Sequence, residues 1–477
     1  MTLVMWEISE KEVVTRMNFD NPWWVEGKDS KIIFENSPRR NYFDKFYSNI
    51  TNREVTRAVI LMGPRRVGKT VMIRQSIRKL LDDGIDSKFI LYLSLETPIY
   101  TGLSLEKIVI LFQKENNLKR DSKVYIFFDE IQYLKDWEVH LKSLVDSFPD
   151  YKFIATGSAA AALKLKSNES GAGRFSDFPL PPLTFAEYLK FIEREDLVYT
   201  NDRYKWYETD NIVELNKEFV NYLNFGGYPE AVLNETIRSD PGQYIKNDII
   251  DKVLLRDLPS LYGILDIQEL NRLFTTIAYN SGNEISLESL TKSSGVAKNT
   301  VKKYLEYLAA AFLITIVHRI DDNCKKFKRA TNFKVYLTNP SMRAALFGPV
   351  KEDDNQVMGS LVETAIFSQW VHWEARSLFY ARWDNKGGEI DVVSVDDAFF
   401  QPEWIVEVKW TDRMEKDISL LENSVYFMNK NDVSVRRCVM TSKTFVKDII
   451  FKDINFEIIP ASIYVYTVGK NLLFFDK

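Results

Sequence analysis

Cysteine and histidine are nearly absent from this chain. Among its 477 residues, Cys324 and Cys438 are the only cysteines, and His140, His318 and His372 the only histidines. Two distant thiols exclude a disulfide framework and a cysteine zinc site, and they suit a reducing compartment. Three scattered histidines exclude an HExxH motif and leave little for a Ser-His-Asp triad, so metal chemistry must rest on carboxylates. Also missing is any apolar run near the roughly 18 residues of a membrane span. The amino terminus, MTLVMWEISEKEVV, carries acids where a signal peptide has a basic and then an apolar stretch. The expectation is a cytoplasmic protein with no membrane segment. Charge of one sign is lacking too: 63 Lys+Arg against 67 Asp+Glu gives −4, so any nucleic-acid site must be local.

What is present is ordinary globular material, 45% hydrophobic and 27% charged, which excludes collagen-like and wholly disordered classes. One core stops growing near roughly 250–300 residues, so several domains are expected. Residues 1–55, with Asn21-Pro22-Trp23-Trp24 and a basic, aromatic stretch from Arg39 to Phe46, read as a lead-in packed on the first domain. Over 56–185 the apolar runs AVILM, FILYLSL, VYIFF and KFIATG alternate with amphipathic stretches at Val71–Leu81 and Trp137–Phe148. That is the pattern of a parallel sheet with crossover helices. Strand signals stop over 186–275, which reads as a helical lid or connector interrupted at Gly226-Gly227-Tyr228-Pro229,. Residues 276–340 give two helices about a turn at Ser293–Gly295 and then a β-rich run, the order of a winged helix-turn-helix,. Residues 341–477 place a helix near Gly359–Glu374 ahead of the strands LFYARW, EIDVVSV and WIVEVKW, a last α/β domain. The fold class is thus α/β and multidomain.

The segment Gly63-Pro64-Arg65-Arg66-Val67-Gly68-Lys69-Thr70 fits GxxxxGK[ST], follows an apolar strand and opens a helix,. Such a loop turns backbone N–H groups toward phosphate, with the lysine on the β/γ-phosphates and the threonine hydroxyl on Mg²⁺. Sixty residues on, the strand VYIFF ends in Asp129-Glu130. Two acids there suit Mg²⁺ binding by Asp129 and activation of water by Glu130. The next strand ends in Thr156-Gly157-Ser158; Thr156 or Ser158 can sense the γ-phosphate or simply form a polar turn.

These motifs, with the later Gly173-Arg174-Phe175, LPPLTFAEY and GGYPEAVL, together resemble the AAA-type ATPases of an archaeal and bacterial family that joins a P-loop domain to a domain of unknown function. The resemblance implies ATP as the nucleotide and Arg174 as a candidate γ-phosphate contact, in cis or from a neighbouring copy of a homo-oligomer.

Two local features point beyond the nucleotide. Between Lys292 and Lys334 there are ten Lys/Arg and three acids, a local +7 that leaves −11 on the rest. Ala297–Leu308 would be the recognition helix, with Lys298, Asn299, Lys302 and Lys303 facing DNA and Lys325, Lys326, Lys328 and Arg329 on the wing. In the last domain, Gly388-Glu389-Ile390-Asp391 lies on one strand, Glu407-Val408-Lys409 on the next and Glu363 on the preceding helix. This set resembles the PD-(D/E)xK nucleases. Strand period 2 puts Glu407 and Lys409 on one face. By that resemblance Asp391 and Glu407 bind Mg²⁺, Glu363 assists and Lys409 holds water or phosphate. The expected activity is an ATPase whose nucleotide state controls DNA engagement and Mg²⁺-dependent cleavage. The alternative is a nucleotide-controlled switch or scaffold that binds DNA or a protein without cutting.

Overall fold

A computed structural model describes residues 9–157, 173–200, 206–326, 332–370, 377–383, 387–396, 400–431 and 437–471. Ser158, Lys328 and Arg329, three of the expected site residues, lie outside them. The chain forms two units, Met1–Leu180 and Pro181–Lys477, where five segments were expected.

The first unit is built on a parallel sheet of β1 (Ala58–Met62), β2 (Ile90–Ser94), β3 (Tyr125–Asp129), β4 (Lys152–Gly157) and β5 (Phe175–Pro179), in the order β2-β3-β4-β1-β5. β1 through β4 are buried almost throughout. Their continuous apolar runs are what a sheet covered on both faces requires. The helices Lys69–Asp82 and Trp137–Ser147 match the amphipathic stretches to within two residues. β5, a sequence of mixed polarity (FSDFP), gave no strand signal and pairs in parallel along β1.

The lead-in finishes the exposed edge of this sheet. Asn21 is fully buried; its side-chain Nδ2 donates to the Tyr92 carbonyl at 3.0 Å, and its Oδ1 accepts from the Tyr92 N–H at 2.6 Å. Trp23 and Trp24 both donate their indole N–H to the Ile90 carbonyl, at 3.0 and 2.8 Å. β2 is an edge strand, so side chains here satisfy backbone groups that would otherwise invite another strand.

The second unit has a mixed nine-stranded sheet. Its strands are β8 (Glu284–Ser286), β9 (Ile314–Ile320), β10 (Asn332–Leu337), β11 (Ser377–Trp383), β12 (Gly388–Val395), β13 (Pro402–Glu407), β14 (Arg437–Ser442), β15 (Lys447–Phe451) and β16 (Ile454–Pro460). A separate ribbon pairs β6 (Tyr199–Thr200) with β7 (Tyr207–Glu208). The sheet order is β15-β16-β14-β13-β12-β11-β9-β10-β8. The helices Leu287–Ser294 and Lys298–Ala310, with Gly295 left-handed between them at φ 74°, occupy the expected helix-turn-helix segment. The strands that follow do not form a separate small sheet. β9 pairs in parallel with β11 over Phe379–Ala381, so the hairpin and the last domain share one sheet. The helices Phe185–Phe191, Ile212–Phe225, Asn355–Trp370 and Ala461–Asn471 contribute to one buried apolar cluster, and the helix Glu422–Lys430 to another. Alternate residues of β11 and β13, such as Phe379/Tyr380 and Ile405/Val406, divide between the two clusters, as the pleat dictates,.

Candidate functional sites

The phosphate loop leaves β1 at its carboxyl end, the edge where open α/β sheets bind ligands. Gly68 caps the following helix with φ 95°, a backbone that a side chain disfavours,. Gly63 is required for space: a Cβ there would stand 2.0 Å from the Leu180 carbonyl oxygen, where the chain leaving β5 passes. Lys69 is buried, and its Nζ donates to the carbonyls of Gly63 and Pro64 at 3.0 and 2.7 Å, folding the loop around its own ammonium. Arg40, from the lead-in, donates to the Val67 carbonyl at 2.7 Å. Sequence reading placed Arg40 only in a packing segment; nothing in its spacing marks it as a support of the loop.

Asp129 sits across from the loop on β3, 2% exposed. The Thr70 hydroxyl and the Tyr92 hydroxyl each donate to its Oδ2 at 2.9 Å, and the Thr156 hydroxyl donates to its Oδ1. Burial, then the neighbouring Glu130 charge, raises its pKa, opposed by these three hydroxyls,. Glu130 takes a left-handed backbone, φ 54°, and its N–H donates to Thr156 Oγ1 at 2.9 Å. Non-glycine residues in that region cluster at functional sites. The Gln132 side chain donates to its carboxylate. Hard oxygen donors from Thr70 and Asp129 within contact distance of each other fit Mg²⁺. Gly63–Thr70, Asp129, Glu130 and Thr156 thus come together. Arg174 does not: it precedes β5, its carbonyl bonds the N–H of Ala58 at the start of β1, and its side chain pairs with Asp146. That is the amino edge of the sheet, a strand length from the loop. Tyr92 was missed because a tyrosine in an apolar run reads as core.

In the second unit the expected residues meet, but through lysines. Asp391 lies on β12 where two residues stand opposite Tyr380 of β11, a bulge that re-aims its side chain,. Its Oδ2 accepts from the Val408 N–H at 2.8 Å and lies 3.4 Å from Lys409 Nζ. Lys409 Nζ also pairs with Glu407 Oε1 at 2.9 Å. The other oxygen of Glu407 is buried with no hydrogen-bond partner. Burial, then Asp391, pushes the Glu407 carboxyl up to about 8. Burial pulls the Lys409 ammonium down, but Asp391 and Glu407 outweigh it and hold it above its ordinary range.

Glu363, on the helix Asn355–Trp370, does not reach Asp391 directly. Lys334 of β10 stands between: its Nζ is 2.7 Å from Glu363 Oε1, 2.7 Å from Glu389 Oε1 and 4.0 Å from Asp391 Oδ1. The Tyr336 hydroxyl donates to Glu363 at 2.6 Å. Burial, offset in part by Lys334, raises the Glu363 pKa. Among the described residues no three acidic, histidine or cysteine side chains are grouped so as to hold a metal ion. The orphaned Glu407 oxygen beside Asp391 is nonetheless an acceptor that a hard cation can complete.

The basic segment divides. Lys298, Asn299, Lys302, Lys303, Lys325 and Lys326 are exposed. Lys298 pairs with Glu288, and Lys326 Nζ stands 4.5 Å from the centre of the Phe400 ring. Lys334 does not belong with the DNA-facing charge: an inward position on its strand buries it inside the carboxylate cluster.

Residues 55–189 match the AAA domain family AAA_14, and residues 216–353 match a domain of unknown function, DUF8612. The first unit thus holds a parallel-sheet, AAA-like domain. An uncharacterized protein of Methanocaldococcus jannaschii is 24% identical over 435 residues, covering 88% of this chain and 91% of that one. An uncharacterized protein of Haemophilus influenzae is 25% identical over 318 residues, 65% of this chain and 73% of that one. Cdc6p from Pyrobaculum aerophilum aligns in structure at 13% identity over 65% of this chain and 94% of its own, with a TM-score of 0.30. A likeness that loose carries nothing further about this chain. Among the described residues no helix is long and apolar enough to cross a membrane.

Proposed function

We propose that the chain binds and hydrolyses ATP at Gly63–Thr70, and that nucleotide state controls DNA engagement and Mg²⁺-dependent phosphodiester cleavage in the second unit. The observation that carries the ATPase is the meeting of Thr70, Asp129 and Glu130 at the carboxyl edge beside the loop. Lys69 would exchange its bonds to the Gly63 and Pro64 carbonyls for the β- and γ-phosphate oxygens, while the loop's N–H groups hold them,. Mg²⁺ bound at Thr70 and Asp129 supplies neutralisation of phosphate charge. Glu130, aimed by its left-handed backbone and by Gln132, orients the attacking water and accepts its proton.

For the nuclease, the supporting observation is the Asp391–Lys409–Glu407 contact with its open acceptor. Asp391 and Glu407 would hold Mg²⁺, with Lys409 polarising water. Exposed Lys298, Asn299, Lys302 and Lys303 on one helix would contact the DNA backbone,. A second reading, the switch or scaffold without cleavage, is favoured by Lys334 and Lys409, which already pair with the carboxylates. Incubation of the purified chain with Mg²⁺, ATP and DNA or RNA, beside Asp391→Ala and Lys409→Ala, separates them. Cleavage lost in both variants supports the nuclease. No cleavage under any condition, or equal cleavage by the variants, rejects it; a change in DNA affinity on Lys69→Ala then supports the switch.

A further inference from the structure

The carboxylate cluster contains a cation of its own, supplied from a different part of the unit. Lys334 is on β10, in the hairpin that follows the helix pair, whereas Asp391 and Glu407 are on β12 and β13. Two strands, β9 and β11, separate β10 from β12 in the sheet. The lysine crosses that gap to place its ammonium between Glu363 and Glu389 and 4.0 Å from Asp391. It is 4% exposed, so water screens little of its charge,.

We infer that Lys334 is the residue that sets the divalent-cation affinity of the Asp391–Glu407 site, by holding a competing positive charge beside it. The inference rests on the proposed reading of that site as a cation site. Four carboxylates gather here, Glu363, Glu389, Asp391 and Glu407, against the two ammoniums of Lys334 and Lys409. The surplus is negative. The buried Glu407 oxygen without a partner marks the side on which a ligand bond is missing. Lys409 touches both proposed ligands and is part of the site itself. Lys334 touches neither of them at hydrogen-bond distance; its closest partners are Glu363 and Glu389. It therefore acts on the site through charge, as a positioning and affinity-setting residue.

The same geometry explains why Glu363 is not a third ligand. Its Oε1 is taken by Lys334 Nζ and by the Tyr336 hydroxyl, at 2.7 and 2.6 Å. Withdrawal of the ammonium would release Glu363 and Glu389 and remove the repulsion together.

The test is Mn²⁺ binding by the full chain, followed by electron paramagnetic resonance of the free ion in an Asp129→Asn background, which silences the phosphate site. Lys334→Met should bind Mn²⁺ at least tenfold more tightly than its parent, and adding Asp391→Asn should abolish the gain. Lys334→Gln, which keeps a donor for Glu363, should tighten binding in the same direction and covers a folding failure of the methionine variant. If Asp391→Asn weakens Mn²⁺ binding but neither Lys334 variant tightens it, the inference is overturned while the cation-site reading stands. If no variant shows Mn²⁺ binding that depends on Asp391, both fall. A merely structural lysine would lower the melting temperature without moving the Mn²⁺ affinity.

Discussion

Two aspartates in this chain, Asp129 buried and Asp391 half-buried, sit in opposite company. Asp129 is ringed by the hydroxyls of Thr70, Tyr92 and Thr156, whereas Asp391 is flanked by Lys409 and Lys334 and held by a backbone N–H. Hydroxyls orient a carboxylate without neutralising it. Ammoniums orient and neutralise together. A site of the first kind waits for a cation to arrive with its nucleotide, and a site of the second kind already holds two cations among its carboxylates before any ligand comes. Burial also works differently in the two places. At Asp129 the raised pKa is opposed by the hydroxyls of Thr156, Tyr92 and Thr70, while at Glu407 a lysine opposes it and one oxygen still remains unpaired.

The largest break in this comparison should come from Lys69→Ala. With the loop's buried ammonium gone, ATP turnover should fall about a hundredfold or more, the scale of losing one preorganised charge-stabilising donor; steady-state phosphate release measures it. Next is Tyr92→Phe, which removes one of three hydroxyls on Asp129 but leaves its ring under Arg74 at 3.7 Å. Supporting groups around a metal ligand are worth about 10–100-fold. Turnover should therefore drop about tenfold, with the Mg²⁺ concentration for half-maximal rate rising and thermal stability unchanged.

On the second unit the comparison sharpens as a pH dependence. The Glu407 carboxyl is pushed up to about 8 from an ordinary 4.5. Between those values the folded chain keeps a proton that the unfolded chain has lost, so stability falls as pH rises through that window. The loss is at most about 1.4 kcal/mol for each step of one in pH. Thermal melts at pH 5.5 and 8.5 should show the loss in wild type and a flatter profile in Glu407→Gln. The smallest expected effect is at Arg174, whose side chain pairs with Asp146 at the far edge of the sheet. Arg174→Ala should change ATP turnover by less than about twofold, and a larger loss would show that a partner copy brings this residue to the nucleotide.

Much of the first site was legible because its parts are local. Loop, strand and acid pair each occupy a few consecutive residues, and strand period with helix context orders them. Arg40 and Tyr92 were illegible for the opposite reason: each reaches the site across the fold, and neither residue type signals phosphate chemistry in an aromatic or apolar run. Asp391, Glu407 and Lys409 could be grouped from the sequence because they lie on or just after the neighbouring strands β12 and β13. Lys334 was counted only as one charge of a basic stretch and not placed at this site. Its ten-residue basic neighbourhood is a compositional fact, but the inward side of β10 is fixed by pairing with β8 and β9, a long-range event with no local mark,. The same blindness split a continuous sheet into a winged helix and a separate last domain, because the β9–β11 pairing joins residues about sixty positions apart in sequence.

The most direct test of the account is steady-state ATP turnover of the full chain beside Asp129→Asn and Asp391→Asn, at fixed Mg²⁺. The hydroxyl-ringed aspartate should be the one the ATPase depends on: Asp129→Asn should abolish turnover, and Asp391→Asn should leave it within about twofold of wild type. Turnover that survives Asp129→Asn, or that is lost in Asp391→Asn, would contradict the division of roles between the two sites.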